Sequence, residues 1–398
     1  MASRLFNIIS FETFRSEATE WKRFGKWLFL VVLLPLLLLF LLVEIVAWRS
    51  GEMIPPEAAA RMQTETPGLR WLGSRESLSA RFKLIRVDQE RPDVLIMGAS
   101  RMCQFRREMF RPYSFYNLAR VSWPLNTFPT LFRHLPEGYT PKVIIFGLDF
   151  FMFNPRYTTD PELSPNPPIY SASPLVNHLI TLNDTFITLY GNPAGILADG
   201  RDPLTGGPVI GLGPSINSTG FRLDGSETQS NSDLIKYNRH DRAFLRGNML
   251  NVQPLYYGDA MGKEEMAQFE EFAALARARG IKLIAVQMPM YGPVVRYLEN
   301  DPHFGILKDF RAHIASGYFD RLGVTVFDYL SLPVYGDDDH YFMDIWHPTE
   351  PISGAVLYLM HNDPRFRAVL PDLDAEPLRQ KLLEEVSGNQ HVYLYPRD

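Results

Sequence analysis

Two short segments far apart in the chain carry the side chains best suited to nucleophilic chemistry. The first is Gly98-Ala99-Ser100-Arg101, closing the apolar run DVLIMGAS (93–100). Two small residues ahead of a serine permit a sharp strand-to-helix turn. Such a turn exposes the hydroxyl and sets the Ser100 backbone N–H near a helix N-terminus, where negative charge is stabilised. The second segment is Asp344-Ile345-Trp346-His347, inside FMDIWHP. An aspartate three residues before a histidine keeps the two side chains close. The carboxylate then fixes the imidazole tautomer while the other ring nitrogen faces a nucleophile. Each segment alone has a plainer reading. Ser100 is also a helix-capping residue type. Asp344 and His347 also suit a structural contact or a metal pair, although no further His/Asp pair at ligand spacing lies nearby. Taken together, Ser100, His347 and Asp344 form the set that acyl transfer through a serine ester requires.

Placing these residues together needs a scaffold, and the apolar runs supply one. DVLIMGAS (93–100), SFYNLA (114–119), KVIIFGLD (142–149), IKLIAVQMP (281–289) and VTVFDY (324–329) read as strands. They lack polar alternation, which suits a parallel sheet covered on both faces. Glu264–Arg279 reads as an amphipathic helix with Met266, Phe269, Phe272 and Ala276 on one face and Gly280 as its stop. Alternating strands and helices predict an α/β, doubly wound domain over 81–398. Sites in such sheets form at the C-terminal strand ends, where Ser100 stands. Residues 155–262 interrupt the alternation and are rich in Pro, Gly, Asn and Ser. They predict an insertion over the C-terminal edge of the sheet. Residues 49–80 follow Arg49 as a polar stretch with Pro55-Pro56 and read as a stalk.

Further side chains fall at the same edge. Asp149 ends the third strand and can pair with Arg101; the sharper role for Arg101 is binding a substrate phosphate or carboxylate. Tyr291 follows the fourth strand and reads as a rim aromatic or as a sugar contact. Cys103 lies about one turn after Ser100, with burial as its default and an acyl-accepting thiol as the alternative. His340 precedes His347 in an acidic loop and reads as solvent-facing, with a place in the same pocket as the alternative.

Composition sets the boundaries. The chain has 398 residues with 46% hydrophobic content, enough for one large domain or two ordinary ones. A net charge of -5 gives no basic footprint for nucleic acid. The single cysteine excludes a disulfide framework and a four-cysteine zinc site. From Trp27 to Val43, 17 residues carry no charge, and the stretch to Trp48 has 22. As a helix the longer stretch measures roughly 33 Å, enough to cross a hydrocarbon core. Trp27 and Trp48 read as interfacial anchors. Pro35 predicts a kink mid-span. The run is longer than the apolar region of a signal peptide and ends in Glu44, Trp48 and Arg49, so the expectation is a retained single-pass span over 26–48. Arg4, Arg15, Lys22, Arg23 and Lys26 precede the span, against Arg49 and Arg61 soon after it. The positive-inside rule then puts residues 1–25 in the cytoplasm and 49–398 outside. Within the tail, Phe6–Phe24 reads as an amphipathic helix on the inner membrane surface or as a solvated tail.

Ser100 in the first block and Asp344 with His347 in the last give an order that resembles the SGNH (GDSL-like) hydrolase superfamily. Tyr116-Asn117-Leu118-Ala119 stands where the family has its second block, and Gly147-Leu148-Asp149 where it has Gly-x-Asn-Asp. GASR, YNLA, GLDFFMFN and MDIWHP behind a membrane span look most like the family's membrane-anchored branch. That branch includes the teichoic-acid D-alanyl transfer protein and the acetylation proteins of alginate-type exopolysaccharides. The resemblance covers residues 90–360 in block order and leaves 155–262 unmatched. It implies a three-layer α/β/α flavodoxin-like parallel sheet and a serine acyltransferase or esterase without metal or cofactor. The implied setting is the bacterial inner membrane with the main domain in the periplasm. The implied substrate is an extracellular glycopolymer, with a membrane-bound O-acyltransferase as partner. Within the resemblance the oxyanion hole takes the Ser100 N–H and the Ala119 N–H. The third-block asparagine is absent, and an ionised Asp149 cannot donate in its place. Asn117 and Asn154 are the candidates to substitute. That missing donor supports a second reading, a non-catalytic assembly or polysaccharide-binding subunit of a cell-envelope system.

Overall fold

A computed structural model describes residues 11–73, 76–159, 173–228, 254–333, 335–336, 338–386 and 394–395. Residues 1–10 of the tail and parts of the 155–262 segment (160–172 and 229–253) lie outside the described residues.

The chain enters as a helical rod. An α-helix over Phe11–Leu28, a π-helical turn over Phe29–Leu33 and an α-helix over Leu34–Arg49 follow without a break. The π turn has a local cause. Pro35 has no N–H for the carbonyl of Val31, and its ring crowds that carbonyl, so the wider turn absorbs the mismatch at the position where a kink was expected. Residues Glu20–Arg49 are long and apolar enough to cross a membrane, with a mean hydropathy of 3.1 in their most apolar window.

Nine short strands follow among the described residues: β1 (Arg70–Trp71), β2 (Val94–Met97), β3 (Phe115–Asn117), β4 (Val143–Gly147), β5 (Val209–Ile210), β6 (Gly220–Phe221), β7 (Glu227–Thr228), β8 (Lys282–Gln287) and β9 (Val324–Asp328). Five of them make an all-parallel sheet in the order β3-β2-β4-β8-β9. These are the five predicted strands, each shortened at its ends where side chains leave the ladder.

Alternate residues of these strands enter two separate cores. Leu95, Met97, Ile144, Phe146, Leu283 and Ala285 face one side, with Phe128 and Phe132 from the helix Thr127–Arg133 and Phe269, Phe272 and Ala276 from the helix Lys263–Ala278. Val94, Ile96, Val143, Ile145, Ile284 and Val286 face the other, with Ile352, Val356 and Met360 of the helix Glu350–Asn362 and Leu378 and Leu382 of Glu376–Val386. Burial on both faces explains the uniformly apolar strands.

Residues 49–80, expected to be a stalk, are instead largely folded. The helix Pro56–Glu65 packs Ala59 and Ala60 against Trp71, Phe82, Ile210 and Phe221 in a third core. Trp71 stacks on Phe82 with ring centroids 4.2 Å apart. A four-stranded sheet, β5-β1-β6-β7, draws one strand from this stretch and three from the 155–262 segment. The buried ion pair Arg70–Asp202 crosses the same junction. The 155–262 segment is therefore not a single cover over the sheet edge. One part is the 18-residue helix Pro174–Gly191, which packs on the C-terminal end of the N-terminal rod. A second part builds the small sheet, and residues 222–228 lie against the ends of β2 and β3. Proline and glycine mask these elements in the sequence, because they punctuate several short pieces rather than one irregular loop.

Phe272 sits at the centre of the first core, with ring centroids 5.3 Å from Phe146 and 5.5 Å from Phe128. Phe272→Ala should lower unfolding free energy by about 3–5 kcal/mol. Denaturant titration of the full chain in detergent, followed by tryptophan fluorescence, measures this; a loss under about 1 kcal/mol would contradict the packing described.

Candidate active site

The turn after β2 is built around two glycines. Gly98 has φ +124°, and a Cβ there would lie 3.0 Å from the Gly147 nitrogen. A Cβ on Gly147 would meet Met102 Cγ at 2.8 Å. Gly98 is thus required by its positive φ and by the close approach of β4, and Gly147 by the Met102 side chain packed on it. The chain then enters a short 3₁₀ turn, Ser100–Met102, with Ser100 as its first residue. Among the described residues the Ser100 backbone N–H donates to no other group.

The second half of the site is a closed loop after β9. The Met343 N–H donates to the His347 carbonyl (2.9 Å), and Phe342 bridges Pro348. Inside it, Asp344 Oδ1 accepts from the N–H groups of Trp346 (2.9 Å) and His347 (2.7 Å). Asp344 Oδ2 lies 2.5 Å from His347 Nδ1. A carboxylate at Nδ1 places the ring proton there and leaves Nε2 as an acceptor. Ser100 Oγ lies 2.7 Å from Nε2, across 247 residues of sequence. Burial pushes the Asp344 carboxyl up, but the His347 imidazole and the two N–H groups outweigh it and hold the pKa below the ordinary aspartate value. The His347 and Asp344 side chains are 24% and 19% exposed, so the site is reachable from solvent.

Two arginines brace the Ser100 turn against this loop. Arg101 donates through Nε to the Trp346 carbonyl (2.9 Å), through Nη2 to the carbonyls of Met288 and Pro289, and pairs through Nη1 with Asp149. Arg101 and Asp149 are both buried, and burial pushes the Asp149 carboxyl up against the pull of Arg101. The guanidinium is thereby turned inward as a tie and not toward a substrate, which corrects the sharper expectation for Arg101. Asp149 is its counter-ion. Arg106 Nη1 lies 3.4 Å from Glu350 Oε2, three residues after His347.

The expected oxyanion donors are placed differently. Asn117 Nδ2 donates to the carbonyls of Met102 (2.9 Å) and Phe105 (3.0 Å), and its Oδ1 accepts the Ala119 N–H (2.9 Å). Both Asn117 hydrogens and the Ala119 N–H are thus engaged in holding the strand end to the segment after Ser100. Asn154 Nδ2 donates to the carbonyls of Tyr256 and Tyr257, both at 3.1 Å. Of the four candidates, Ser100 N–H alone keeps its proton uncommitted among the described residues. Tyr291 donates its N–H to the Ile345 carbonyl (3.0 Å) and packs edge-on to Phe342, beside the Asp344 loop. Cys103 is buried, and burial pushes its thiol up to about 12. His340 sits edge-on to Tyr341. Among the described residues, no group of three or more His, Cys, Asp or Glu is placed to hold a metal.

Lys83 is a residue of this site that no sequence pattern singles out. Its Nζ donates to the carbonyls of Asn117 (3.1 Å), Ala119 (2.7 Å) and Gly225 (2.9 Å), and burial pulls its pKa down to about 8. It fastens the exit of β3 to the 222–228 segment. Nothing in its neighbourhood of sequence, SARFKLIRV, distinguishes it from a solvated helix lysine.

Glu350 also receives the N–H groups of Leu394 and Tyr395 (3.1 Å each). Burial drives its pKa up to about 7, against the pull of Arg106 and Arg222. The folded state therefore holds this proton more tightly than the unfolded chain. Its contribution is complete below the ordinary value of 4.5 and is lost as pH rises through about 7. Glu350→Gln should flatten the decline in unfolding midpoint across that window, measured by thermal melts in a pH series; an unchanged decline would contradict the assignment.

No family model, curated protein or solved structure matches the chain, so the chemistry of this site is argued from its own geometry.

Proposed function

We propose that the chain is a membrane-anchored serine acyltransferase or esterase acting outside the cytoplasmic membrane on a glycopolymer. The observation that carries this reading is the continuous hydrogen-bonded run Ser100 Oγ–His347 Nε2 and His347 Nδ1–Asp344 Oδ2. The sheet order supports the finer fold assignment. With the strands numbered along the chain it reads 2-1-3-4-5, the order of flavodoxin-like sheets, with the serine at the C-terminal end of its first strand. The block order of the SGNH superfamily supports the same assignment.

In this mechanism Ser100 Oγ attacks an acyl carbonyl as its proton passes to His347 Nε2. Asp344 stabilises the imidazolium that forms. The oxyanion is met by the Ser100 N–H at the head of the 3₁₀ turn. Collapse expels the donor's alkoxide or thiolate, which takes the proton from His347 and leaves an ester on Ser100. A polymer hydroxyl then loses its proton to His347 and attacks that ester, regenerating Ser100 and completing transfer; water in the same role gives hydrolysis. Transfer needs an activated acyl group on the outer face, and a single span has no means of moving one across. A membrane-bound O-acyltransferase is the partner that fits this need. The lysine and arginine asymmetry around the span supports placing the main domain outside.

The second reading, a non-catalytic assembly or polysaccharide-binding subunit, is favoured by one observation. Asn117, Asn154 and the Ala119 N–H are all committed elsewhere, and a missing oxyanion donor costs about 10²–10³ in rate.

Polymer acylation in cells carrying each variant, normalised to protein in the membrane fraction, separates the two. Ser100→Ala and His347→Ala should each reduce acylation by about 10⁴-fold or more, down to background. Asp344→Asn should reduce it by about 10²–10⁴-fold, because the loop geometry survives but the charge does not. Acylation at the wild-type level with Ser100→Ala would remove the enzyme reading and leave the subunit reading.

A further inference from the structure

The helix Pro174–Gly191 has three sides. Thr181, Leu182, Thr185 and Leu189 are buried. Asn177, Asp184 and Thr188 form a polar strip. The remaining arc carries Leu175, Leu179, Phe186 and Tyr190, which are 67%, 52%, 41% and 83% exposed, with the exposed Val176, Asn183 and Ile187 between them and the polar strip. Exposed apolar side chains at this spacing form one continuous stripe on a helix. A stripe of this kind facing water is unusual on a soluble domain.

The position of the helix identifies what covers the stripe. Its buried side packs Leu182 and Leu189 with Val43, Val46 and Ala47 of the N-terminal rod. His178 Nε2 lies 2.8 Å from Glu44 Oε1. Glu44 is the one carboxylate between Trp27 and Trp48, and it stands four residues, about 6 Å along the axis, inside Trp48. A carboxylate at that level needs a polar partner, and this helix provides it. The helix therefore lies level with the outer end of the span. On the rod, Leu41 and Ile45, neighbours in sequence of the residues it packs on, are themselves exposed. The helix carries no lysine or arginine, so apolar burial and not attraction to anionic headgroups sets its depth.

We propose that the helix Pro174–Gly191 lies in the outer interface of the bilayer, with Leu175, Leu179, Phe186 and Tyr190 turned into the acyl chains. The chain is then fixed to the membrane by two elements, the span and a surface helix locked to it through Glu44 and His178. This rests on reading Glu20–Arg49 as membrane-spanning, and the test includes a separate probe of that span.

The full chain is reconstituted in vesicles of phosphatidylcholine and phosphatidylglycerol, with one nitroxide per sample at Leu179→Cys, Phe186→Cys, Tyr190→Cys, Asp184→Cys or Leu39→Cys. Cys103 is buried, and the parent chain taken through the labelling reaction checks that it stays unlabelled. Collision with oxygen and with a water-soluble nickel chelate is then measured. Positions 179, 186 and 190 should be oxygen-rich and nickel-poor, at a depth of about 5–10 Å below the headgroup boundary, and position 184 should be nickel-rich. Nickel access at 179, 186 and 190 equal to that at 184, with position 39 still in lipid, overturns the proposal. Protection of the three positions from both reagents also overturns it, because protein and not lipid then covers the stripe. Nickel access at position 39 would instead remove the span reading and this inference with it.

Discussion

The Asp344 carboxylate is the group on which the arrangement of the site depends. One oxygen closes its own loop by accepting two successive N–H groups, and the other holds the imidazole edge. Shape and tautomer are thereby set by a single side chain. Either oxygen without the other would fail: an open loop leaves the ring free to turn, and a closed loop without the Nδ1 contact leaves the proton on either nitrogen. The opposing forces on its pKa express the same balance. Burial disfavours the charge, and three hydrogen-bond donors more than restore it.

A loop that well defined still has to meet a serine 247 residues away. Buried guanidinium groups make that join. Arg101 leaves the serine turn and reaches a carbonyl of the histidine loop, two carbonyls after β8 and the carboxylate after β4. Burying an ion pair is costly, and it gains little over apolar packing in stability alone. Its directional bonds do what apolar packing cannot, holding four strand-end segments in one register. Arg106 with Glu350, and Lys83 with three carbonyls, repeat the device on the flanks. At the other end, the Leu212 N–H donates to Glu52 Oε1 at 2.5 Å, and the small sheet packs directly behind the N-terminal rod. A packed junction in place of a stalk keeps the site at a set distance from the rod.

The sheet was legible because its strands are buried on both faces, so composition alone marks them. Ser100, Asp344 and His347 were legible because a turn with two small residues and an Asp-x-x-His spacing are local patterns. Asp344 and His347 meet through a closed loop and not a helical turn, yet the spacing serves both. What failed were assignments that depend on where side-chain hydrogen bonds go. Asn117 and Asn154 have the right chemistry for donors, but backbone carbonyls claim their hydrogens, and those carbonyls are contributed by remote segments. Arg101 reads equally well as a ligand or a tie until the carbonyls of Met288 and Pro289 are in place. Lys83 carries no pattern at all, since its three acceptors come from the last residue of β3, from Ala119 just beyond it and from Gly225. The segment 49–80 failed for a related reason: two-residue strands have no periodicity to read, and β1 exists because β5 and β6, from within the 155–262 segment, pair with it.

Covalent capture probes the proposed role of Ser100 as a nucleophile activated by His347. The full chain in detergent is incubated with a fluorophosphonate, which forms a phosphonate ester on an activated serine oxygen and releases fluoride, the serine proton leaving through His347. Mass spectrometry of the peptides then locates the adduct. The result expected of an activated Ser100 is an adduct on that residue that is absent in a folded His347→Ala variant. Folded wild-type chain that carries no adduct on Ser100, or a His347→Ala chain labelled there as fast as the wild type, would contradict it.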